Sequence, residues 1–163
     1  MLSKSYLYGT IFFNMRVYYD HQIFCEQSFG GISRYFFELI KGANDMELFT
    51  PILDVKFSNN VFSQQLHPDN HWLTTANFKG KKDLVRLINR INTFIKTRST
   101  PFDIFHPTYF HQSALANKHG KPMFVTVLDM IDEKYHADDK KFSSLIRDRE
   151  KIITAADHII AIS

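Results

Sequence analysis

Apolar side chains recur along this chain with the two spacings that distinguish helices from strands. The segment 81–98 carries apolar residues at helical spacing without interruption, and the segment 32–40 does so over a shorter stretch. Each pattern predicts a helix that buries one face. We expect Gly42 to end the earlier helix. The apolar positions are Leu84, Leu87, Ile88, Ile91, Phe94 and Ile95 in one segment and Ile32, Tyr35, Phe36, Leu39 and Ile40 in the other.

Short runs of β-branched and aromatic residues predict strands between these helices. The run from Met15 to Asp20 is the first of them. The run from Pro122 to Leu128 is almost continuously apolar, which is typical of a central strand covered on both faces. The polar stretch 54–80 predicts a loop with short elements. Further strands are predicted at 46–53, 102–106 and 158–163, and further helices at 112–119 and 142–156.

The alternation of strands and helices predicts an α/β fold with a single Rossmann-like, open, mostly parallel sheet and helices on both faces. A chain of 163 residues has the size of one domain. We assign that domain to residues 15–163 and interpret residues 1–14 as an N-terminal extension. Because a strand of such a fold normally leads into a loop and a helix, we expect the fold to be interrupted after the last strand.

Composition narrows the classes of function. Lysine and arginine number 20 against 17 acidic residues, and a net charge of +3 is too small for a dedicated nucleic-acid binder. The single cysteine, Cys25, cannot form an internal disulfide, so a cytoplasmic location is the simplest expectation. No apolar run approaches the roughly 20 residues that cross a bilayer. His67 and His71 lie in a Pro-Asp-Asn loop without a cysteine partner, so neither a metal nor another cofactor is predicted.

The predicted helix 81–98 also carries a basic stripe opposite its apolar positions. Such a stripe would allow peripheral contact with anionic lipid head groups at the inner face of the cell membrane. The alternative, which we favour, is a solvated outer face on a helix whose apolar face packs against the sheet. The charged residues are Lys81, Lys82, Arg86, Arg90, Lys96 and Arg98 with one acid, Asp83.

Polar side chains stand at the ends of three predicted strands. Asp20 and His21 follow the first, His106 closes another, and Asp129 follows the central one. Because ligands of open α/β sheets bind outside the carboxyl ends of the strands, we expect these residues to share one rim. There they could accept a hydrogen bond from a sugar hydroxyl or act as a general base. The alternatives are a polar residue where a strand meets water and, for His106, a buried imidazole with satisfied hydrogen bonds.

Gly30 and Gly31 directly precede the predicted helix 32–40. The amides at a helix N-terminus are unpaired and the helix dipole is positive there, so a phosphate could approach closely, with Arg34 adding charge. The alternative is a tight turn in which Arg34 pairs with Glu38 one turn later. The spacing matches neither the G-x-G-x-x-G fingerprint nor a Walker loop, so neither NAD nor a P-loop nucleotide is predicted.

Several of these segments together resemble the N-terminal lobe of family 4 glycosyltransferases, which have the two-lobed GT-B fold. The matching runs occur in the family's order and span nearly the whole of 15–163. One departure is Leu128, because many relatives have a histidine before the central aspartate. The runs are YDHQIF (19–24), FGGISRYFFEL (29–39), DIFHPTY (103–109), VTVLDMIDEK (125–134) and AADHIIAIS (155–163).

The resemblance implies the acceptor-side lobe of an enzyme that transfers a hexose from a nucleotide diphosphate sugar to an acceptor, which is a sugar or is lipid-linked. The pathway implied is the synthesis of cell-surface polysaccharide or glycolipid. The donor diphosphate would meet Gly30, Gly31 and Arg34, and transfer would occur beside Asp129, the catalytic candidate. The acceptor-side residues would be Asp20, His21, His106 and Tyr109.

In the family, the second lobe supplies the nucleotide pocket and basic phosphate ligands, and none of those features occurs in this sequence. We therefore expect the isolated chain to have little or no activity and to require a separate donor-binding lobe. Two alternatives stay open: a non-catalytic sugar-binding module, and the acceptor-side subunit of a split transferase. A phosphoacceptor receiver domain is disfavoured, because Asp20-His21 is not the acidic pair that such a domain has after its first strand.

Overall fold

The computed structural model describes residues 15–67, 73, 76–128 and 142–162. Within them, strands and helices alternate largely in the predicted order. The strands are β1 (Arg16–Tyr19), β2 (Thr50–Leu53), β3 (Ile104–His106), β4 (Phe124–Val127) and β5 (His158–Ala161). The helices with described bounds are α1 (Gln22–Glu26), α2 (Gly31–Asp45), α3 (Val61–Leu66), α4 (Lys81–Ser99), α5 (Ser113–Asn117) and α6 (Ser143–Thr154).

The described strands form two small parallel sheets. One has the order β2-β1-β3, and the other pairs β4 with β5. A single parallel bridge between Phe105 and Met123 connects them. The ladder stops there because Pro107 and Pro122, which flank the bridging residues, have no N–H to donate. The α/β class with parallel strands is confirmed, whereas the predicted single sheet is observed as two short ones.

Strand β1 is covered on both faces. Successive side chains of a strand point to opposite faces, and here Val17 and Tyr19 belong to one buried cluster while Tyr18 belongs to another. The cluster around Tyr19 contains Phe36 of α2, and the cluster around Tyr18 contains Ile152 of α6. Helices therefore pack on both faces, as predicted.

Helix α2 runs through Gly42 to Asp45, so the prediction that Gly42 ends it is wrong. The helix ends instead where Glu47 adopts the left-handed conformation, with φ of 52°, and the amide of Leu48 bonds to the carbonyl of Ala43 at 3.2 Å. This is a Schellman ending, which satisfies carbonyls of the last turn. It occupies residues 46–48, so β2 begins at Thr50 and not at the predicted Met46.

Helix α4 forms where predicted, but its apolar face points away from the interior and its polar face is buried. Its buried side chains are Val85, Asn89, Thr93 and Thr97, three of them polar. The prediction that its apolar face packs against the sheet is therefore wrong. The apolar residues that face outward, with their exposed fractions, are Leu84 (39%), Leu87 (46%), Ile91 (51%), Phe94 (46%) and Ile95 (59%).

Hydrogen bonds of the buried face explain this orientation. The Asn89 amide donates to the carbonyls of Phe57 and Val85 and accepts from the amide of Lys56. Thr93 donates to the buried carboxylate of Asp54. Turning α4 over would leave that carboxylate short of donors in the interior, which costs several kcal/mol and outweighs the partial exposure of apolar groups.

Three predictions lie outside the described residues: the extension 1–14, the environment of Asp129, and the residue His71. Among the described helices, none combines the length and the apolar character that crossing a bilayer requires.

Candidate functional site

A cleft of about 430 Å³ opens at the carboxyl end of β1, between α1, α4, α6 and the segment that follows β3. The chain passes from β1 to β2 on one side and later returns to β3 on the other. The connections after β1 and β3 therefore diverge, and a crevice forms at such a reversal of strand order. Its wall includes His21 after β1, Leu87 and Arg90 of α4, and Tyr109 after β3.

His21 is held by a chain of hydrogen bonds that fixes its tautomer. Its Nδ1 lies 2.8 Å from Thr93 Oγ1, and that hydroxyl donates its only proton to Asp54 Oδ2 at 2.7 Å. Nδ1 must therefore be the donor to Thr93, which leaves a lone pair on Nε2. Nε2 bonds to none of the described residues, and the ring lines the cleft. The arrangement presents a hydrogen-bond acceptor to whatever the cleft holds.

The environment of His21 also keeps the ring neutral. Burial lowers the pKa of His21 below its ordinary value, and this outweighs the charges of Asp20 and Asp54, which favour protonation. A neutral ring retains the Nε2 lone pair near pH 7. His21 can therefore accept a hydrogen bond from a hydroxyl group without first losing a proton.

Asp54, which the sequence analysis did not single out, anchors this chain of bonds. It follows β2 and is almost completely buried. Its Oδ2 accepts from the hydroxyls of Tyr18 and Thr93, each at 2.7 Å. Its Oδ1 accepts from the Asn92 amide at 2.6 Å and lies 3.2 Å from the ammonium group of Lys96. One carboxylate thus joins β1 and α4 and orients the ring of His21.

Asp20 is buried and does not face the cleft. Its carboxylate accepts from the amide and hydroxyl of Thr108, each at 2.9 Å, and from the side chain of Gln22 at 2.7 Å. The Thr108 hydroxyl in turn accepts from the amide of Ile23. These bonds tie the end of β1 to the segment after β3. Asp20 thus connects the end of β1 to the segment after β3, and its predicted contact with an acceptor stays a prediction.

His106 matches the alternative interpretation of a satisfied buried imidazole. Its Nε2 lies 3.0 Å from the hydroxyl of Thr126, and its ring packs against Tyr19 and Phe36 with centroid distances of 5.2 and 5.4 Å. Burial lowers the pKa of His106 to about 4. The ring lies in the core beneath the rim and lines none of the described clefts, so it supports the site without facing a ligand.

Tyr109 does lie at the site. With Phe110 it lines the large cleft on one side and, on the other, a narrow crevice that also contacts Ile32 and Leu128. Ile32 is in the first turn of α2, one residue after the glycine pair, and Leu128 follows β4. The two aromatic residues therefore separate the cleft that contains His21 from a crevice at the start of α2.

A buried arginine, Arg149 of α6, lines the same crevice. Its guanidinium lies 4.8 Å from the ring centroid of Phe110, in the geometry of a cation–π contact. Arg149 was not predicted at the site, because an isolated arginine between acidic neighbours carries no signal of burial in the sequence. The crevice thus combines a cation with a residue of the first turn of α2, Ile32.

Gly30 is the N-cap of α2 and Gly31 is its first residue. The two positions differ in the space available to a side chain. A Cβ on Gly30 would meet the far end of the Gln27 side chain, whose Cδ lies 2.7 Å away, so a larger residue there would require that flexible side chain to move. A Cβ on Gly31 would meet nothing within 4 Å. Arg34 pairs with Glu38 at 3.8 Å across exposed surface, as the alternative interpretation predicted. Such a pair contributes little stability and leaves Arg34 accessible to an anion.

Charged groups on the α4 side of the cleft differ in their pairing. Burial alone would raise the pKa of Glu26, but Arg86 and Lys82 outweigh it and lower that pKa. The guanidinium of Arg90 has neither a hydrogen bond nor an ion pair with the described residues. Within the described part of the chain, no group of three or more His, Cys, Asp or Glu residues could hold a metal ion.

Of the residues predicted at the site, the structure places His21 and Tyr109 at the cleft, and the residues that orient His21 were not predicted. Those residues are Asp54 and Thr93. A signal existed in α4, where Asn89, Thr93 and Thr97 recur every four residues and define a second, polar face. No protein-family model, curated protein or solved structure matches this chain.

Proposed function

We propose that this chain is the acceptor-side, Rossmann-like lobe of a GT-B hexosyltransferase that uses nucleotide diphosphate sugars. Its product would belong to cell-surface polysaccharide or glycolipid. The observation that carries the proposal is the shared wall of Tyr109 and Phe110. On one side of this wall lies a cleft with a hydrogen-bond acceptor, and on the other lies a crevice with a cation at the start of a helix. A transferase needs two such compartments in contact.

The large cleft is the acceptor compartment of this proposal. Its volume of about 430 Å³ falls within the range of small-molecule sites. Its walls combine the apolar surfaces of Leu87 and Phe110 with polar groups at His21 and Gln22. Sugars present the same mixture, with apolar ring faces and hydroxyl edges. His21 Nε2 would accept a hydrogen bond from one acceptor hydroxyl and so orient it.

The donor diphosphate would bind at the mouth of the narrow crevice, whose own volume of about 10 Å³ is too small to hold it. The first-turn amides of α2 and the positive end of its dipole favour an anion there. The guanidinium of Arg149 lines the crevice, and that of Arg34 lies one turn into α2. These groups would stabilise charge on the leaving diphosphate, which is the electrostatic contribution expected to dominate in such a transfer. The nucleotide itself would bind a second lobe, so the chain alone is expected to have little activity.

An NMR titration tests the donor compartment. The ¹⁵N-labelled chain is titrated with millimolar UDP, GDP or ADP, and amide shifts are followed at Gly30, Gly31 and Ser33. The matched control is the start of α4, where Gly80 is likewise the N-cap of a long helix. We expect shifts at α2 and none at α4. Equal shifts at both helices would mean unspecific attraction of anions to helix ends, and no shift at α2 would remove the diphosphate role.

Imidazole ¹⁵N shifts test the acceptor compartment. At pH 7 we expect His21 to carry its proton on Nδ1 and to have an unprotonated Nε2, and we expect the Thr93→Val variant to lose that preference. A sugar that binds the cleft should shift Nε2 specifically. Nucleotide release from a panel of nucleotide sugars, with a donor-binding lobe added, then decides between functions. Sugar binding without release from any donor would favour the non-catalytic module and overturn the transferase proposal.

A further inference from the structure

Helix α4 carries an apolar surface that no described element covers. We call the surface formed by Leu84, Leu87, Ile91, Phe94 and Ile95 the outward face. Each of these side chains is at least 39% exposed, and together they extend along most of the helix. Contiguous apolar surface of this kind on a soluble domain marks an interaction site.

The rim of the outward face is basic. The helix carries six lysines and arginines and one acid, Asp83. Three of the cations are paired: Arg86 with Asp83 and Glu26, Lys82 with Glu26, and Lys96 with Asp54. Arg90 and Arg98 form no ion pair with the described residues. Arg98 instead packs its guanidinium over the ring of Phe94, 3.4 Å from the centroid, and so joins cationic and apolar surface directly. The helix therefore offers an apolar strip edged by two arginines, Arg90 and Arg98, that no described acid neutralises.

We propose that the outward face of α4 inserts into the interfacial region of an anionic lipid bilayer. An amphipathic helix with an apolar strip and a basic edge lies in the plane of such an interface, with apolar side chains among the acyl chains and cations at the phosphates. The charge selects this occupant over a second copy of the chain, because two copies meeting through this face would bring their basic edges together. Anionic head groups complement those edges.

The same surface reaches the acceptor cleft. Leu87 belongs to both the outward face and the cleft wall, and Arg90 lies on the cleft wall beside it. Insertion of α4 would therefore place the mouth of the cleft at the lipid head groups. This inference goes beyond the proposed transferase function, since bilayer binding can be measured without any donor or acceptor. Failure of one proposal is thus distinguishable from failure of the other.

Vesicle flotation of the full chain tests the proposal. Vesicles of equal parts phosphatidylglycerol and phosphatidylcholine are compared with vesicles of phosphatidylcholine alone, and we expect strong binding to the first and weak binding to the second. The double variant Ile91→Glu/Ile95→Glu should lower binding by at least about tenfold, because charged groups replace the inserting ones. The variant Arg90→Gln/Arg98→Gln should lower binding to the anionic vesicles by about thirtyfold, at roughly 1 kcal/mol per cation.

A matched control keeps the test specific. Met46 and Leu48 are as exposed as Ile91 and Ile95 but lie after α2, and Met46→Glu/Leu48→Glu should bind vesicles like the unmodified chain. Circular dichroism verifies that each variant is folded. The proposal is overturned if the folded chain floats with neither vesicle, or if both double glutamate variants lose binding equally. It is also overturned if sedimentation velocity shows a dimer that Ile91→Glu/Ile95→Glu dissociates while vesicle binding is unaffected.

Discussion

Helices α2 and α4 have similar apolar periodicity in sequence and opposite orientations in the structure. In α2 the apolar residues Phe36 and Ile40 are buried against β1. In α4 the corresponding stripe faces outward, and Asn89 and Thr93 take the buried positions. Periodicity therefore identifies that a helix has an apolar face. It does not identify what that face contacts.

The difference arises from the partners that each helix meets. Helix α2 packs on the apolar side chains of β1, so burying apolar surface decides its rotation. Helix α4 packs against residues that follow β1 and β2, where the buried carboxylate of Asp54 and the backbone around Phe57 require hydrogen-bond donors and acceptors. Because an unsatisfied buried polar group costs more than a half-exposed leucine, the polar face of α4 turns inward.

The largest expected effect is the loss of the anchor that sets the orientation of α4. Asp54→Ala removes the acceptor of Tyr18 and Thr93 and leaves their hydroxyls unsatisfied, so we expect a loss of about 3–5 kcal/mol in the free energy of unfolding. Urea denaturation measures it. The control is Asp45→Ala, which breaks only the exposed pair with Lys41 and should leave the free energy of unfolding nearly unchanged. A cost below 1 kcal/mol for Asp54→Ala would show that hydrogen bonding does not orient α4.

The next largest effect is the difference in stability between truncating an isoleucine in α2 and truncating one in α4. Ile40→Ala in α2 empties a buried position and should cost about 2–4 kcal/mol in the free energy of unfolding. Ile91→Ala in α4 truncates a side chain that is half exposed, so its cost should stay below about 1 kcal/mol. The two variants make the same chemical change, isoleucine to alanine, in two helices of the same chain. Equal costs would contradict the opposite orientations of the two helices.

The smallest expected effect is the pH dependence of stability that arises from His106, whose ring packs against Phe36 of α2. The folded-state pKa of His106 is about 4, below the ordinary value of 6.5, so the folded state binds fewer protons than the unfolded one. The contribution of the neutral ring is fully present above pH 6.5 and is lost as the pH falls towards 4. Between pH 7 and pH 5 we expect the free energy of unfolding to decrease by about 2 kcal/mol through this group.

Denaturation at both pH values, in the unmodified chain and in His106→Gln, measures the contribution of His106. The difference between the two proteins isolates this group from the other groups that titrate in the same window. An identical pH dependence in both proteins would refute the assigned pKa. Because His106 packs against Phe36, acid should loosen α2 before α4, which hydrogen exchange can resolve.

The sequence alone predicted much of the fold and less of the site. The α/β class, the parallel strands and the positions of α2 and α4 followed from local periodicity, which depends on few residues. The exposure of Leu87 and the burial of Arg149 depend on which elements meet in space, and local patterns do not carry that information. The role of Asp54 was hidden for the same reason, since its donors come from β1 and α4. The expectation for Asp129 lies outside the described residues.

The carboxylate of Asp54 has a mechanical consequence. It accepts a hydrogen bond from Thr93 of α4, and the same Thr93 hydroxyl accepts from His21 and orients its ring. If α4 slid by one turn or rolled about its axis, Thr93 would leave both partners at once and the imidazole would lose its fixed tautomer. Two hydrogen bonds, from Thr93 to Asp54 and from His21 to Thr93, thus couple the position of α4 to the orientation of the His21 ring. A displacement of the outer surface of α4 would therefore be transmitted to His21 Nε2, the atom that is free to accept a hydrogen bond at the cleft.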